Sequence, residues 1–222
     1  MKEAIKRLFD IVSSGAGLIV LSPLLLVVAA WIKLDSKGPV FFMQQRAGSH
    51  EQPFKIFKFR TMLHRAPGEI DQHQEQVVSA GHDPRITKAG RFIRATSLDE
   101  LPQLINIFIG DMSVVGPRPV LMEQTEVVPP SYKKRFCVRP GLTGLAQVRG
   151  RRSLGWLEQL AHDAEYVDKQ SLAFDLKILL LTVKVVLTGS GIYGEPGLNW
   201  RTYRDRLNGQ PPRDSDVEEA MR

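Results

Sequence analysis

The sequence predicts an α+β fold, mainly helical with a small β-hairpin or sheet, carried on an N-terminal re-entrant (monotopic) membrane helix with amphipathic helices at the membrane interface. Three observations predict it. Residues 11–32, "IVSSGAGLIVLSPLLLVVAAWI", are 22 consecutive residues without a charge. Two aromatic-rich runs, "GPVFFMQQRAG" and "QPFKIFKFRTM", follow close together. Further on, segments such as "LPQLINIFIGDM" space their apolar residues at helical intervals.

The apolar run is flanked by Lys2, Lys6 and Arg7 on one side and by Lys33 and Lys37 on the other. As a straight helix it reaches about 33 Å, enough to cross the hydrocarbon core. In its middle stands "LSP". Pro23 removes a backbone donor and Ser22 can re-satisfy freed groups, so a break is expected at Ser22 and Pro23. Positive charge at both ends suits a helix that dips in and returns to the cytoplasmic face. A spanning helix with a proline kink is one alternative. A cleaved signal peptide ending near "VAA" is another, disfavoured by the length of the run and its internal proline.

The aromatic runs read as a hairpin, separated by a Gly, Ser and polar loop. Residues 63–81 are polar and Gln/His-rich, as in a surface helix or loop. "LPQLINIFIGDM" is expected to be helical up to Gly110, and "GWLEQLAHDAEYVDKQ" is a second helix. Between them, "VVGPRP" and "VRPGLTG" are loops in need of special backbone geometry. Residues 172–188 are apolar except for Asp175, Lys177 and Lys184. The two lysines are seven apart and share a helix face, which fits an interfacial helix as well as a buried one. The expected boundaries are 1–37 for the anchor, 38–190 for a cytoplasmic domain and 191–222 for a polar, partly disordered tail.

Composition narrows the chemistry. One cysteine, Cys137, leaves no intramolecular disulfide framework or zinc cluster, and the five histidines lack metal-ligand spacing. The net charge of +6 favours anionic partners. "GSGIYG" at 189–194 matches a dinucleotide-binding spacing, but the "EPG" after it cannot open a helix.

"TSLDELPQ", residues 96–103, sets two carboxylates side by side, Asp99 and Glu100. One explanation is a capping box, with Ser97 as N-cap and Glu100 reaching back. Capping leaves the surroundings unexplained. Arg91 and Arg94 precede the pair, Arg118 sits in "GPRP", Arg139 in "RPGLTG", and Arg149, Arg151 and Arg152 in "VRGRR". Arginine forks on Gly/Pro loops suit phosphate oxygens. Acids among arginines suggest Mg²⁺ with a phosphate-containing substrate: one carboxylate serves the cation and the other is free to attack phosphorus.

At these residues the chain resembles the bacterial sugar transferases, the monotopic polyprenyl-phosphate phosphoglycosyl transferases. The resemblance runs in order from "KRLFDIV" through "LSP", "GPVFFMQQRAG", "FKIFKFRTM", "DPRITKAGRFIRATSLDELPQLINIFIGDMSVVGPRP" and "RPGLTGLAQVRGR" to "SLAFDLKIL", about residues 6 to 188. It implies transfer of a phosphosugar from a nucleoside diphosphate sugar, usually UDP-linked, to polyprenyl (undecaprenyl) phosphate. In that case Asp99 inherits the nucleophile's role and Glu100 binds Mg²⁺. Arg94, Arg118 and Arg151 fall on phosphate- or nucleotide-binding positions. The expected location is the bacterial inner membrane, with the catalytic domain on the cytoplasmic face, in contact with membrane lipid and not with nucleic acid. A second copy of the chain is a further candidate partner. Departures from the family pattern are Arg149, Leu145, Ala164 and Glu165. Two alternatives stay open: direct attack by lipid phosphate in a ternary complex, and a membrane-tethered basic module that binds acidic lipid or nucleic acid without catalysis.

Overall fold

The computed structural model describes residues 2–64, 83–150, 153–188 and 199–209. In chain order these form α1 (Lys2–Asp35), β1 (Phe41–Ala47), β2 (Pro53–Phe59), α2 (Lys88–Ala95), α3 (Gln103–Ile109), β3 (Ser113–Val115), α4 (Met122–Glu126), β4 (Gly141–Thr143), α5 (Leu145–Arg149), α6 (Trp156–Lys169), α7 (Leu172–Thr188) and α8 (Trp200–Leu207).

α1 is a single helix of 34 residues with Pro23 inside it. Helical structure continues through Ser22 and Pro23, and the reason is local. A proline at 23 deprives the carbonyl of residue 19 of its usual donor, and the Ser22 hydroxyl donates to that Ile19 carbonyl at 2.7 Å.

The helix has two faces. Asp10, Ser14, Val28 and Ile32 are buried, with Leu18, Leu21 and Leu25 packed between them at steps of three or four residues. Leu8, Val12, Ile19, Leu26 and Leu34 point away and stay exposed, Leu34 at 88%. Gly15 and Gly17 let α3 close in, since a Cβ there would stand 3.3 Å from the Phe108 ring and 3.2 Å from Leu104.

Both ends of α1 are tied to the same domain. Near its start, Lys6 Nζ donates to the Val115 carbonyl at 3.1 Å and meets Asp175 Oδ2 at 2.6 Å. Arg7 donates to the carbonyls of Ile107 and Phe108 at the end of α3, at 2.6 and 2.7 Å. Asp10 Oδ1 accepts from Ser113 Oγ and the Val114 amide, both at 3.0 Å. At its far end, Asp35 Oδ2 accepts from the Ala89 amide in the first turn of α2 at 2.9 Å, and Arg60 donates to the Ser36 carbonyl at 2.8 Å. Asp10 is fully buried, so Asp10→Ala orphans two donors and is expected to cost about 1–3 kcal/mol. Thermal unfolding of the detergent-solubilised variant should therefore occur at lower temperature.

β1 and β2 form the expected antiparallel hairpin, in register from Phe41↔Phe59 to Ala47↔Pro53. α3 ends at Gly110 as expected, with φ at +108°, and α6 covers the second helical pattern. β3 and β4 were not anticipated. They pair in parallel, Ser113↔Gly141 and Val115↔Thr143, and put "VVGPRP" beside "RPGLTG". The glycines of these loops serve close approach, not unusual dihedrals: a Cβ on Gly141 would stand 2.1 Å from the Gly116 amide nitrogen, and one on Gly144 2.2 Å from the Gly116 carbonyl.

α7 divides its faces much as α1 does. Asp175 and Ile178 are buried, whereas Leu176, Leu180, Val183 and Leu187 are exposed, as are Lys177 and Lys184. Within the stretch expected to be a polar tail, α8 is capped by Asn199 and lays Trp200 and Tyr203 on the cluster of Ala47, Phe136 and Trp156. The polar segment at 65–82, "GSGIYG" and residues 210–222 lie outside the described residues.

Candidate active site

Asp99 and Glu100 lie in a tight 3₁₀ turn, Leu98–Glu100, between α2 and α3. Ser97 enters this turn in the left-handed region, at φ +58° and ψ +16°, and its side chain makes no capping bond. The capping-box explanation is therefore corrected. A Ser in that conformation does not aim its hydroxyl at the amide of Glu100, and the Glu100 side chain turns to cations instead of back to the Ser97 amide. A left-handed non-glycine residue next to the acid pair is the kind of backbone strain that clusters at functional sites.

Glu100 Oε1 accepts from Lys58 Nζ at 2.8 Å and from Arg118 Nη2 at 2.6 Å; Arg118 Nη1 lies 3.4 Å from Oε2. Burial by itself would raise the Glu100 carboxyl, but Arg118 and Lys58 outweigh it and hold the group well below the usual carboxylate range. Asp99 is the opposite case. Among the described residues it accepts no hydrogen bond and forms no ion pair, and burial together with the charge of Glu100 raises its proton affinity against the pull of Lys58, Arg94 and Arg118. Two adjacent acids thus differ sharply: one is saturated by cations, and the other keeps its lone pairs for an incoming group.

Each cation has a separate support. Arg94 is on the last turn of α2, whose start is capped by Thr87 accepting from the Gly90 amide at 2.9 Å. Its guanidinium is pulled down by burial and pushed back up by Asp99 and Asp83. Lys58 sits on β2, which is held to α3 by Asn106: Nδ2 donates to the Lys55 carbonyl at 2.8 Å and Oδ1 accepts from the Phe57 amide at 2.9 Å. Burial lowers the Lys58 ammonium more than Glu100 raises it. Arg118 stands on the loop after β3, where Gly116 N donates to the Thr143 carbonyl and Gly141 N to the Pro117 carbonyl.

Behind that loop lies a group that sequence reasoning missed. Arg135 is 3% exposed and donates to Asp163 Oδ2 through Nε at 3.0 Å and Nη2 at 2.8 Å, and Nη2 also donates to the Arg118 carbonyl at 2.7 Å. It fixes the backbone under the Arg118 fork. Nothing in "KKRFC" sets Arg135 apart from the two lysines before it. Lys58 was missed too, although the sequence holds a partial signal for it. In "FKIFKF" the lysines at 55 and 58 are three apart, so on a strand they face opposite ways and one must point at the domain.

Of the other expected residues, Arg94 and Arg118 join the acid pair, and Arg151 lies outside the described residues. Arg91 and Arg139 are exposed and hold no contact with the pair. Arg149 and Glu165, both departures from the family pattern, meet each other: Nη1 and Oε2 are 2.6 Å apart, and Lys169 and Arg149 bring Glu165 down to about 2. Leu145 and Ala164 are buried core residues.

Among the described residues no three His, Cys, Asp or Glu side chains gather as a closed metal site. The donor set nevertheless fits Mg²⁺, which takes one or two carboxylates and completes its shell with water and substrate phosphate. Glu100 Oε2, with only the long Arg118 contact, retains lone-pair capacity for such an ion.

Comparison with known proteins identifies the family. The family profile described as bacterial sugar transferase matches residues 1–189. The chain is 42% identical over 188 residues to the "uncharacterized sugar transferase EpsL" of Bacillus subtilis (strain 168), covering 85% of this chain and 90% of that one. It is 44% identical over 197 residues to a UDP-glucose:undecaprenyl-phosphate glucose-1-phosphate transferase of Caulobacter vibrioides, covering 85% and 72%. It is 38% identical over 198 residues to the exopolysaccharide production protein ExoY of Rhizobium meliloti, covering 85% and 88%. With a profile match across the anchor, the acid pair and both arginine loops, the chain belongs to the bacterial sugar transferase family and is an enzyme of the phosphoglycosyl transferase class.

Proposed function

We propose that this enzyme transfers a phosphosugar from a UDP-sugar to undecaprenyl phosphate, releasing UMP, through a covalent intermediate on Asp99. The observation that carries the reading is the contrast within the pair: among the described residues Asp99 has no hydrogen-bond or ion-pair partner, and its proton affinity is raised, beside a Glu100 held ionised by Arg118 and Lys58. A carboxylate that the fold leaves unstabilised is the better nucleophile of the two. Asp99 attacks the sugar-bearing phosphorus. The bond to the bridging oxygen breaks, and that oxygen leaves on UMP with the electron pair. The phosphate oxygen of the lipid then attacks the same phosphorus and frees the Asp99 carboxylate. Arg94, on the side of Asp99, and Arg118 and Lys58, on Glu100, hold phosphate oxygens and oppose the charge that moves between them. Glu100 would hold Mg²⁺, which when bound adds Lewis-acid charge at the phosphates.

The membrane arrangement fits the acceptor. α1 is long and apolar enough to cross a bilayer, yet both its ends dock on one domain. Monotopic attachment through the outward faces of α1 and α7 meets both facts and brings lipid phosphate and soluble nucleotide to one cytoplasmic surface. The product is the lipid-linked sugar that begins assembly of an exopolysaccharide, a capsule, an O-antigen or a glycoprotein glycan.

The test omits the acceptor. Purified enzyme with Mg²⁺ and a panel of UDP-sugars should release one equivalent of UMP with the matching sugar and carry a phosphosugar mass adduct on the peptide containing Asp99. Release that requires undecaprenyl phosphate, with no adduct, would instead support direct attack in a ternary complex.

A further inference from the structure

We propose that Arg46 binds the nucleotide-side phosphate of the donor and opposes the charge that collects there as the bond to the sugar phosphate breaks. The inference rests on the Asp99-nucleophile reading above and adds a residue outside its site set.

The hairpin register puts Arg46 in place. Cross-strand partners share a face and so do alternate residues, so the pairs Phe42↔Lys58, Gln44↔Ile56 and Arg46↔Phe54 lie on one face. This is the face that sends Lys58 to Glu100. Arg46 is four residues further along from that point, but its side chain leans back: Nη2 donates to Gln44 Oε1 at 2.6 Å. The lean brings the guanidinium within electrostatic reach of Arg118 and Glu100.

A cation in this position is costly without a ligand. Arg46 is half-buried, its Nε is fully buried with no partner, and Nη1 donates no hydrogen bond among the described residues. Burial first, and then the like charge of Arg118, depress it to about 10 despite Glu100. Lys58, Arg94, Arg118 and Arg46 set four positive charges against the two of Asp99 and Glu100. A diphosphate supplies the missing anions. A shallow open groove begins at the next residue, between Ala47–Gly48 and Pro117–Pro119, with Arg118 in its wall.

Position decides which phosphate. Asp99 feels Lys58, Arg94 and Arg118, whereas Arg46 feels Arg118 and Glu100. Arg94 is thus the cation on the side of Asp99, whereas Arg46 stands on the hairpin toward Arg118 and Glu100, a placement that suits the departing phosphate and not the one attacked. In the displacement the Asp99 oxygen bonds to phosphorus and the bridging oxygen departs with the electron pair as a terminal oxygen of UMP. The donor's two negative charges and the one on Asp99 become two on UMP and one on the aspartyl phosphodiester. The charge that moves onto UMP arrives beside Arg46, and Gln44 acts as its positioning residue.

Ping-pong kinetics separates the two half-reactions and so tests this directly. Arg46→Ala is expected to lower kcat/KM for the UDP-sugar by about 10²-fold, to leave kcat/KM for undecaprenyl phosphate unchanged, and to weaken UMP binding in titration calorimetry. Arg46→Lys should recover part of the donor value, and Gln44→Leu should show a smaller loss of the same kind. Donor kcat/KM and UMP affinity both at wild-type level would overturn the proposal, as would a loss confined to the lipid acceptor. Intersecting rather than parallel initial-velocity patterns would defeat the Asp99 reading, and UMP affinity would still judge Arg46. If Arg46→Ala does not fold, the same two measurements on Arg46→Lys and Gln44→Leu decide between these outcomes.

Discussion

Asp99→Asn is expected to lower turnover by at least about 10⁴-fold, because an amide oxygen at that position cannot form the acyl phosphate and, among the described residues, the neighbouring carboxylate of Glu100 is tied up by Lys58 and Arg118. The phosphosugar adduct and the acceptor-independent release of UMP should vanish with it. Stability should move the other way. Asp99 has its folded-state proton affinity raised, by burial first and then by Glu100. For such a group the stabilising contribution is present below the unfolded pKa and is lost as pH rises through the folded one. Above its unfolded pKa Asp99 therefore weighs against the folded state, and Asp99→Asn should there unfold at a temperature equal to or above that of the parent. The opposite sign applies to Glu100, whose depressed carboxyl stabilises the fold above its unfolded pKa and ceases to do so as acid is added. A melting curve of Asp99→Asn against pH, with the activity assay alongside, checks both signs. Near-normal turnover in that variant would remove Asp99 from the mechanism.

Asp163→Ala is expected to be the most damaging change away from the acid pair. Asp163 and Arg135 are each 3% exposed, and removing the carboxylate leaves a guanidinium buried without its counter-charge. Breaking a buried pair from one side costs about 3–5 kcal/mol, or roughly 6–20 °C in unfolding temperature for a domain of this size. Activity should fall as well, since Arg135 also holds the Arg118 carbonyl and an unpaired Arg135 will move toward water. The double change Arg135→Met with Asp163→Leu separates the two effects. Two apolar side chains of similar volume should restore most of the stability, because the desolvation of both ions disappears. They cannot restore the bond to the Arg118 carbonyl, so donor kcat/KM should stay low. Recovery of both together would show that Arg135 does nothing for Arg118 beyond keeping the protein folded.

The contrast between these two sites marks how far sequence reasoning reached. Asp99 and Glu100 were legible because like charges on neighbouring residues have few explanations, and arginines on Gly/Pro loops favoured one of them. The Arg135–Asp163 pair was not legible. Its partners stand 28 residues apart in ordinary basic and acidic surroundings, and only burial distinguishes them. Arg46 and Lys58 were half-legible. Strand alternation requires some of those side chains to face inward, but register and the Gln44 contact decide where they point.

The same division holds for the anchor. Its length, apolarity and flanking charges are properties of a continuous segment, as are the hairpin, the stop at Gly110 and the helix at 156–169, because local propensity and periodicity act over a few residues. A nearly uniform apolar helix carries no mark of which face meets protein and which meets lipid. That choice came from Gly15 and Gly17 meeting α3, and from Asp10 and Asp35 accepting backbone donors far away in sequence. The parallel pairing of β3 with β4, which sets Arg118 opposite Glu100, likewise depends on bringing two distant loops within backbone contact. Local sequence could name the reacting groups. Long-range contact made one acid saturated and the other free, since desolvation and charge pairing depend on neighbours that the chain order does not reveal.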